Sequence, residues 1–231
     1  SSAIFRALMI LKGQQADMAG NLTVKSNVVG MIGTNSYLLI NNTTKEAIIV
    51  DPGAEAGRIE KSVKDNEVTP AAILLTHGHF DHILAANELR ELYGIPVCAG
   101  IEEEQLLTSS MLNLSTDYGC TCTVKPDRLF EDGEHVMLAG FDIEVIATPG
   151  HTGGCVCYYF KQESVLISGD TLFHNAVGRT DLATGSSKAI IQSVHRLIKQ
   201  LPADTKVYPG HGAPTDIGWE EENNPYCYDI S

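Results

Sequence analysis

Thr76-His77-Gly78-His79-Phe80-Asp81-His82 is the stretch on which the reading of this chain turns. Four side chains able to ligate a metal, His77, His79, Asp81 and His82, fall within six residues. The apolar run Ala71-Ala72-Ile73-Leu74-Leu75 precedes them and reads as a buried strand. A strand end is a rigid platform, and the loop leaving it can turn several side chains toward one point. The alternative, a solvated His-rich loop, is disfavoured by the specificity of the pattern in a chain with only 8 His.

Three other predicted strand ends carry an isolated polar residue behind a glycine. Ile143-Glu-Val-Ile-Ala-Thr-Pro-Gly leads to His151, Val165-Leu-Ile-Ser-Gly leads to Asp170, and Lys206-Val-Tyr-Pro-Gly leads to His211. Glycine permits a backbone turn that other residues resist. A lone His or Asp in a loop is more often solvated, or caps a helix, than bound to metal. Three of them at strand ends, together with the heptapeptide, reverse that expectation. Seven candidate ligands result: His77, His79, Asp81, His82, His151, Asp170 and His211. One zinc takes four ligands and keeps a position open for chemistry, so seven suit two ions that share a carboxylate. All are N or O donors, which favours zinc, iron or manganese over Cu(I).

Around these positions strands and helices alternate. Tyr37–Ile40 and Ala47–Val50 read as strands flanking the Asn41–Thr44 turn. Helices are expected over residues 55–66, 82–93, 101–107 and 187–201. In the last, Ile190, Ile191, Val194, Leu197 and Ile198 form one apolar stripe. Hairpins are expected at residues 134–147 and 156–168, an irregular segment at 108–133, and a last strand at 206–208. No linker or internal repeat divides the chain. Residues 21–231 read as a single domain, an αβ sandwich with sheets inside and helices outside. Residues 1–20 read as an N-terminal extension or the remnant of a tag.

Hydrophobic residues make up 43% of the 231, enough for a substantial core. No apolar run approaches the roughly 18 residues of a membrane-spanning helix. A net charge of -13 without a Lys/Arg cluster disfavours nucleic acid. The six Cys contain no C-x-x-C pair, and Cys120/Cys122 and Cys155/Cys157 read as reduced residues at alternate strand positions. The expected partner is a small-molecule substrate, with neither nucleic acid nor membrane, in a cytoplasmic protein of open oligomeric state.

With these residues assembled, the sequence resembles the metallo-β-lactamase fold superfamily, whose signature is H-x-H-x-D-H followed by separated His, Asp and His. The resemblance covers roughly residues 22–225 and implies an αββα sandwich of two mixed β-sheets flanked by helices. It implies a first metal held by His77, His79 and His151 and a second by Asp81, His82 and His211, with Asp170 bridging. Thr148-Pro-Gly-His-Thr-Gly-Gly154, Ser168-Gly-Asp-Thr-Leu-Phe173, Gly178-Arg-Thr-Asp181 and Pro209-Gly-His-Gly212 are similar to the glyoxalase II-like thioester hydrolases. Full-length glyoxalase II has a C-terminal helical domain that supplies glutathione contacts, whereas 20 residues follow His211 here. The resemblance is therefore to the short glyoxalase II-like hydrolases.

What this implies is a hydrolase of thioesters such as S-2-hydroxyacylglutathione. Two divalent ions, zinc or else iron or manganese, would share the attacking hydroxide. Asp81 and Asp170 carry the catalytic roles, and Asp81 also orients the nucleophile. Arg179 binds a substrate carboxylate or pairs with Asp181. His174 faces the cleft or solvent. Asp51 is expected as a buried carboxylate behind the ligands. The chief rival is a persulfide dioxygenase with one iron on His77, His151 and Asp170. Hydrolysis of another ester, a lactone or a phosphoester is the further alternative. A nuclease would need a basic surface, and a β-lactamase would be exported and often carries Cys in place of the bridging Asp. A non-catalytic module would not need seven ligands.

Overall fold

The structure, a computed structural model, describes residues 21–228. The expected extension over residues 1–20 lies outside the described residues. The first sheet runs in the order β1 (Leu22–Val29), β2 (Thr34–Asn41), β3 (Glu46–Val50), β4 (Thr69–Leu74), β5 (Val97–Gly100) and β6 (Arg128–Phe130). Its first three strands are antiparallel, and β3 to β6 are parallel. In the second sheet β7 (His135–Leu138), β8 (Phe141–Ala147), β9 (Val156–Phe160) and β10 (Val165–Gly169) form an antiparallel meander. A small hairpin, β11 (Leu172–Phe173) with β12 (Ala176–Val177), follows. Then β13 (Lys206–Pro209) joins β10 in parallel, and β14 (Thr215–Asp216) closes the edge. Both sheets are mixed, as expected.

Alternation of side chains explains the layers. Along β9, Val156, Tyr158 and Phe160 pack between the sheets, and Cys157 and Tyr159 face outward. Along β3, Ile48 and Val50 point between the sheets, and Ala47 and Ile49 point the other way. A strand buried on both faces reads as a continuous apolar run. Helices Ala56–Asp65 and Ala86–Tyr93 cover the outer face of the first sheet through Ile59, Val63, Ala86 and Leu89. Helix Ser187–Gln200 covers the second through Val194 and Leu197, with Ile217 beside it. Each fully buried Leu, Ile or Val contributes about 1.5–3 kcal/mol. The result is the αββα sandwich.

Some elements differ from expectation. The helix expected over 82–93 is two pieces, Phe80–Ile83 and Ala86–Tyr93. The segment 108–133 contains β6, and the chain beyond His211 adds β14 and helix Ile217–Asn223. Cys120 and Cys122 lie in irregular backbone rather than on a strand, and Cys155 precedes β9. The 134–147 hairpin forms as expected, with Ala139 and Gly140 both at positive φ (48° and 77°) in a two-residue turn. Among the described residues no helix is long and apolar enough to cross a membrane.

Topology places the candidate ligands. Strands β8 and β10 are separated by antiparallel β9, so they run the same way, and β13 runs parallel to β10. Their C-terminal ends therefore share one edge, where His151, Asp170 and His211 begin. The first sheet is tied to that edge by Val156 N donating to Thr76 O (2.9 Å) and Asn35 N donating to Gly210 O (2.7 Å).

Candidate metal centre

All seven predicted ligands meet at this edge. His77, His79 and His151 form one group, Asp81, His82 and His211 another, and His77, His82 and Asp170 a third that overlaps both; within each, the offered atoms lie within 4.8 Å of one another. Asp170 sits between the groups. Its Oδ1 is 3.5 Å from His82 Nε2, and its Oδ2 is 3.5 Å from both His151 Nε2 and His211 Nε2. His79 Nδ1 lies 2.9 Å from His151 Nε2. Buried Nε2 atoms of His77, His79 and His82 and Oδ1 of Asp170 have no hydrogen-bond partner. Buried polar atoms are almost always satisfied, so this concentration of orphans marks a place built for a cation.

The far side of each ring decides which nitrogen faces inward. The Thr76 hydroxyl donates to Asp51 Oδ2 (2.6 Å), which leaves its oxygen to accept from His77 Nδ1 (3.2 Å). Asp51 also accepts from Thr76 N (2.8 Å) and from His82 Nδ1 (3.0 Å). The Arg179 carbonyl accepts from His151 Nδ1 (2.7 Å). In His77 and His151 the proton sits on Nδ1 and the Nε2 lone pair points inward, the arrangement metal-binding histidines use; His82 likewise donates through Nδ1 and turns Nε2 inward, but must shed its second proton to ligate. Asp51, buried as expected, holds a ring and a loop rather than joining the donor set.

The glycines before the ligands serve in different ways. Gly150 (φ 146°) and Gly169 (φ 50°) take left-handed backbone that other residues resist. Gly210 has no such φ, but a Cβ there would overlap Asp170 Oδ1. Two Pro-Gly-His segments alike in sequence thus both need glycine for close approach, Gly150 to the Ile190 backbone and Gly210 to Asp170, and only Gly150 needs it for turning as well.

Residues 29–211 match the family profile described as Metallo-beta-lactamase superfamily. The chain belongs to the metallo-beta-lactamase superfamily. It is 42% identical over 205 residues to "Probable metallo-hydrolase YqgX" of Bacillus subtilis, covering 88% of this chain and 96% of that protein. It is 34% identical over 191 residues to "Hydroxyacylglutathione hydrolase GloC" of Haemophilus influenzae, covering 81% and 90%. Among solved structures, the "BLEG-1 B3 metallo-beta-lactamase" is 41% identical with a TM-score of 0.84, over 89% of this chain and 99% of that one.

His79, Asp81, His151, Asp170 and His211 floor a cavity of about 360 Å³, with Phe80, Leu114, Tyr118, Phe173 and Leu182 as apolar walls. Arg179 lines it too, but its guanidinium is held in a two-point pair by Asp181 (2.7 and 2.8 Å). That pair keeps the Asp181 carboxyl down at about 2. His174, expected at the cleft or in solvent, is not among the lining residues. It stacks on Trp219 (centroids 5.7 Å apart) beside Thr215 and Glu220, because the β11–β12 hairpin turns it toward helix Ile217–Asn223. The sequence reading did not single out Glu103 or Thr34. Buried Glu103 accepts from Gly78 N (2.8 Å) and from the Thr152 hydroxyl (2.9 Å), tying the His77/His79 loop to the His151 loop. The Thr34 hydroxyl donates to Asp81 Oδ2 (2.8 Å).

Charge around the centre yields a pH prediction for the metal-free chain. Burial, then the neighbouring imidazoles, depress His77 well below its usual range and His79 to about 3; burial also lowers His151. An unfolded chain protonates these rings near the ordinary value of about 6.5, taking up protons the folded state refuses. Stability should therefore fall as pH drops below about 6.5, by about 1.4 kcal/mol per pH unit for each ring. His82 is opposite in sign. Burial lowers it, but the charges of Asp81, Asp170 and Asp51 outweigh that and raise it to about 10. Its stabilisation is complete below about 6.5 and is lost as pH climbs toward 10. Thermal melts of chelator-treated protein should peak near neutrality; a Tm still rising toward pH 5 would contradict this account.

Proposed function

We propose that this protein is a two-metal hydrolase of thioesters, with S-2-hydroxyacylglutathione as the first substrate to test. The carrying observation is the double donor set sharing Asp170 at the floor of the cavity. His77, His79 and His151 would hold one ion and Asp81, His82 and His211 the other, with Asp170 between them. Zinc suits these N and O donors, and iron or manganese would also fit. Bound there, the ions would supply Lewis acidity and a water nucleophilic at neutral pH.

The chain's own groups do the rest. Asp81 stays ionised: burial opposes this, but His82, His211 and the Thr34 hydroxyl hold its carboxyl well below the usual range. It is thereby suited to orient an attacking water. Among the described residues, no imidazole or carboxyl outside the donor set lines the cavity. A leaving group that needs no protonation, such as a thiolate, suits a site without a separate general acid. The likeness to a protein named hydroxyacylglutathione hydrolase and the four motifs around His151, Asp170, Arg179 and His211 support the same choice.

Metal quantification coupled to turnover of S-lactoylglutathione, a β-lactam and a phosphodiester tests the reading. About two ions per chain and preferential thioester hydrolysis are expected. Fewer than about 1.5 ions with no thioester turnover would sink it. Preference for the β-lactam would move the substrate class toward that for which the BLEG-1 metallo-beta-lactamase is named. His79→Ala should mainly weaken retention of the first ion, and His82→Ala that of the second.

A further inference from the structure

Exposed apolar side chains gather at one rim of the cavity. At the tip of the β1–β2 hairpin Met31 is 89% exposed and Ile32 44%; opposite them Tyr118, 55% exposed, stacks on Phe80 at a centroid separation of 4.2 Å. Between them runs a groove of about 280 Å³, apolar apart from Asp81 and the Tyr118 hydroxyl, with Leu84 also in its wall. Ile32, Phe80, Asp81 and Tyr118 line both this groove and the reaction cavity, so the two adjoin. Apolar surface that stays exposed beside a site of chemistry marks a ligand surface. Among the described residues no Lys or Arg lines the groove, and Arg179 in the cavity is engaged by Asp181. Recognition on this side therefore comes from apolar contact rather than from cations matched to a peptide's carboxylates.

We propose that the groove holds the unbranched aliphatic acyl chain of the substrate, leading away from the scissile carbonyl under the β1–β2 tip. This rests on the thioester-hydrolase reading and narrows it to aliphatic acyl thioesters. In the reaction water adds to the acyl carbon and the C–S bond breaks, giving a carboxylate, a thiol and a proton.

Two series on the metal-loaded full-length chain test the proposal. In the first, kcat/KM is measured for S-acyl-N-acetylcysteamines from acetyl to decanoyl. It should rise roughly twofold to fourfold per methylene until the groove is filled. In the second, calorimetry measures binding of the straight-chain carboxylates of the same lengths, and affinity should climb in parallel. Met31→Ser and Ile32→Ser should flatten both slopes, whereas Met137→Ser, an exposed methionine on β7, should leave them unaltered. Carboxylate binding that does not depend on chain length overturns the proposal, whatever the turnover. Length-dependent binding with no thioester turned over supports the groove while the thioester reading fails. Self-association lost in Met31→Ser with unchanged slopes would give the groove to a second copy of the chain and overturn the proposal.

Discussion

On the proposed two-metal thioesterase reading, replacing Asp170 with Ala is expected to lower thioester hydrolysis by about 10³-fold or more and to cut bound metal from about two ions per chain to one or none. Asp170 is a carboxylate placed against both donor groups: one oxygen faces His82 and the other faces His151 and His211, each at 3.5 Å. Without it, imidazole lone pairs of both groups converge on a space with no shared anion. The backbone has no slack with which to compensate. A Cβ on Gly178 would overlap the Asp170 carbonyl and one on Gly210 its carboxylate, so the peptide chain already touches this residue on two sides. Asp170→Asn keeps the shape and removes the charge, and should fall between wild type and Asp170→Ala in metal retention. Inductively coupled plasma analysis with parallel kinetics checks both variants. Full stoichiometry in Asp170→Ala would show that the two groups do not depend on a common carboxylate.

Glu103→Ala should destabilise the fold by about 3–5 kcal/mol, because it strips the acceptor from two buried donors, Gly78 N and the Thr152 hydroxyl. For a domain of this size that is roughly a 10 °C drop in Tm. Metal should also be held about 10–100-fold more weakly, since the lost carboxylate ties together the loops that carry His77, His79 and His151. Burial pushes the Glu103 carboxyl up to about 7, with the hydrogen bonds from Gly78, Thr152 and Gly154 pulling the other way. Glu103→Gln retains one acceptor oxygen for the Gly78 N–H, and the Thr152 hydroxyl can rotate to accept from the new NH2, so it should recover part of the loss. Chemical denaturation and chelator competition separate the two effects. Wild-type stability and metal affinity in Glu103→Ala would leave the two loops independent of this link.

Glu103 also shows where sequence reading stops. It lies in Ile101-Glu102-Glu103-Glu104, a charge run that in sequence looks like a solvated helix start. Glu102 and Glu104 are exposed; Glu103 is 1% exposed beneath the active-site loops. Nothing in the spacing distinguishes the middle carboxylate from its neighbours, because its partners are 25 and 49 residues away. His174 shows the opposite difficulty. Its position after the Asp170 loop suggests the cleft, but the two-stranded hairpin that turns it toward Trp219 is too short to leave a periodic signal.

The heptapeptide and the three Gly-preceded strand ends were legible because chemistry and backbone geometry both constrain them locally. Imidazoles clustered behind a strand have few other uses, and a turn directly after a strand favours glycine. The continuous apolar runs of β3 and β9 likewise carry the sandwich, since a strand covered on both faces must be apolar on both. Tertiary structure alone decided the rest. It brought His151, Asp170 and His211 to one edge because β8, β10 and β13 run the same way, and it set the inward nitrogens of His77, His82 and His151 through Asp51, Thr76 and the Arg179 carbonyl. It also opened an apolar groove beside the centre from residues near 31, 80 and 118. Contacts between segments so far apart leave no pattern along the chain, because strand order and loop packing, not local preference, decide which segments meet.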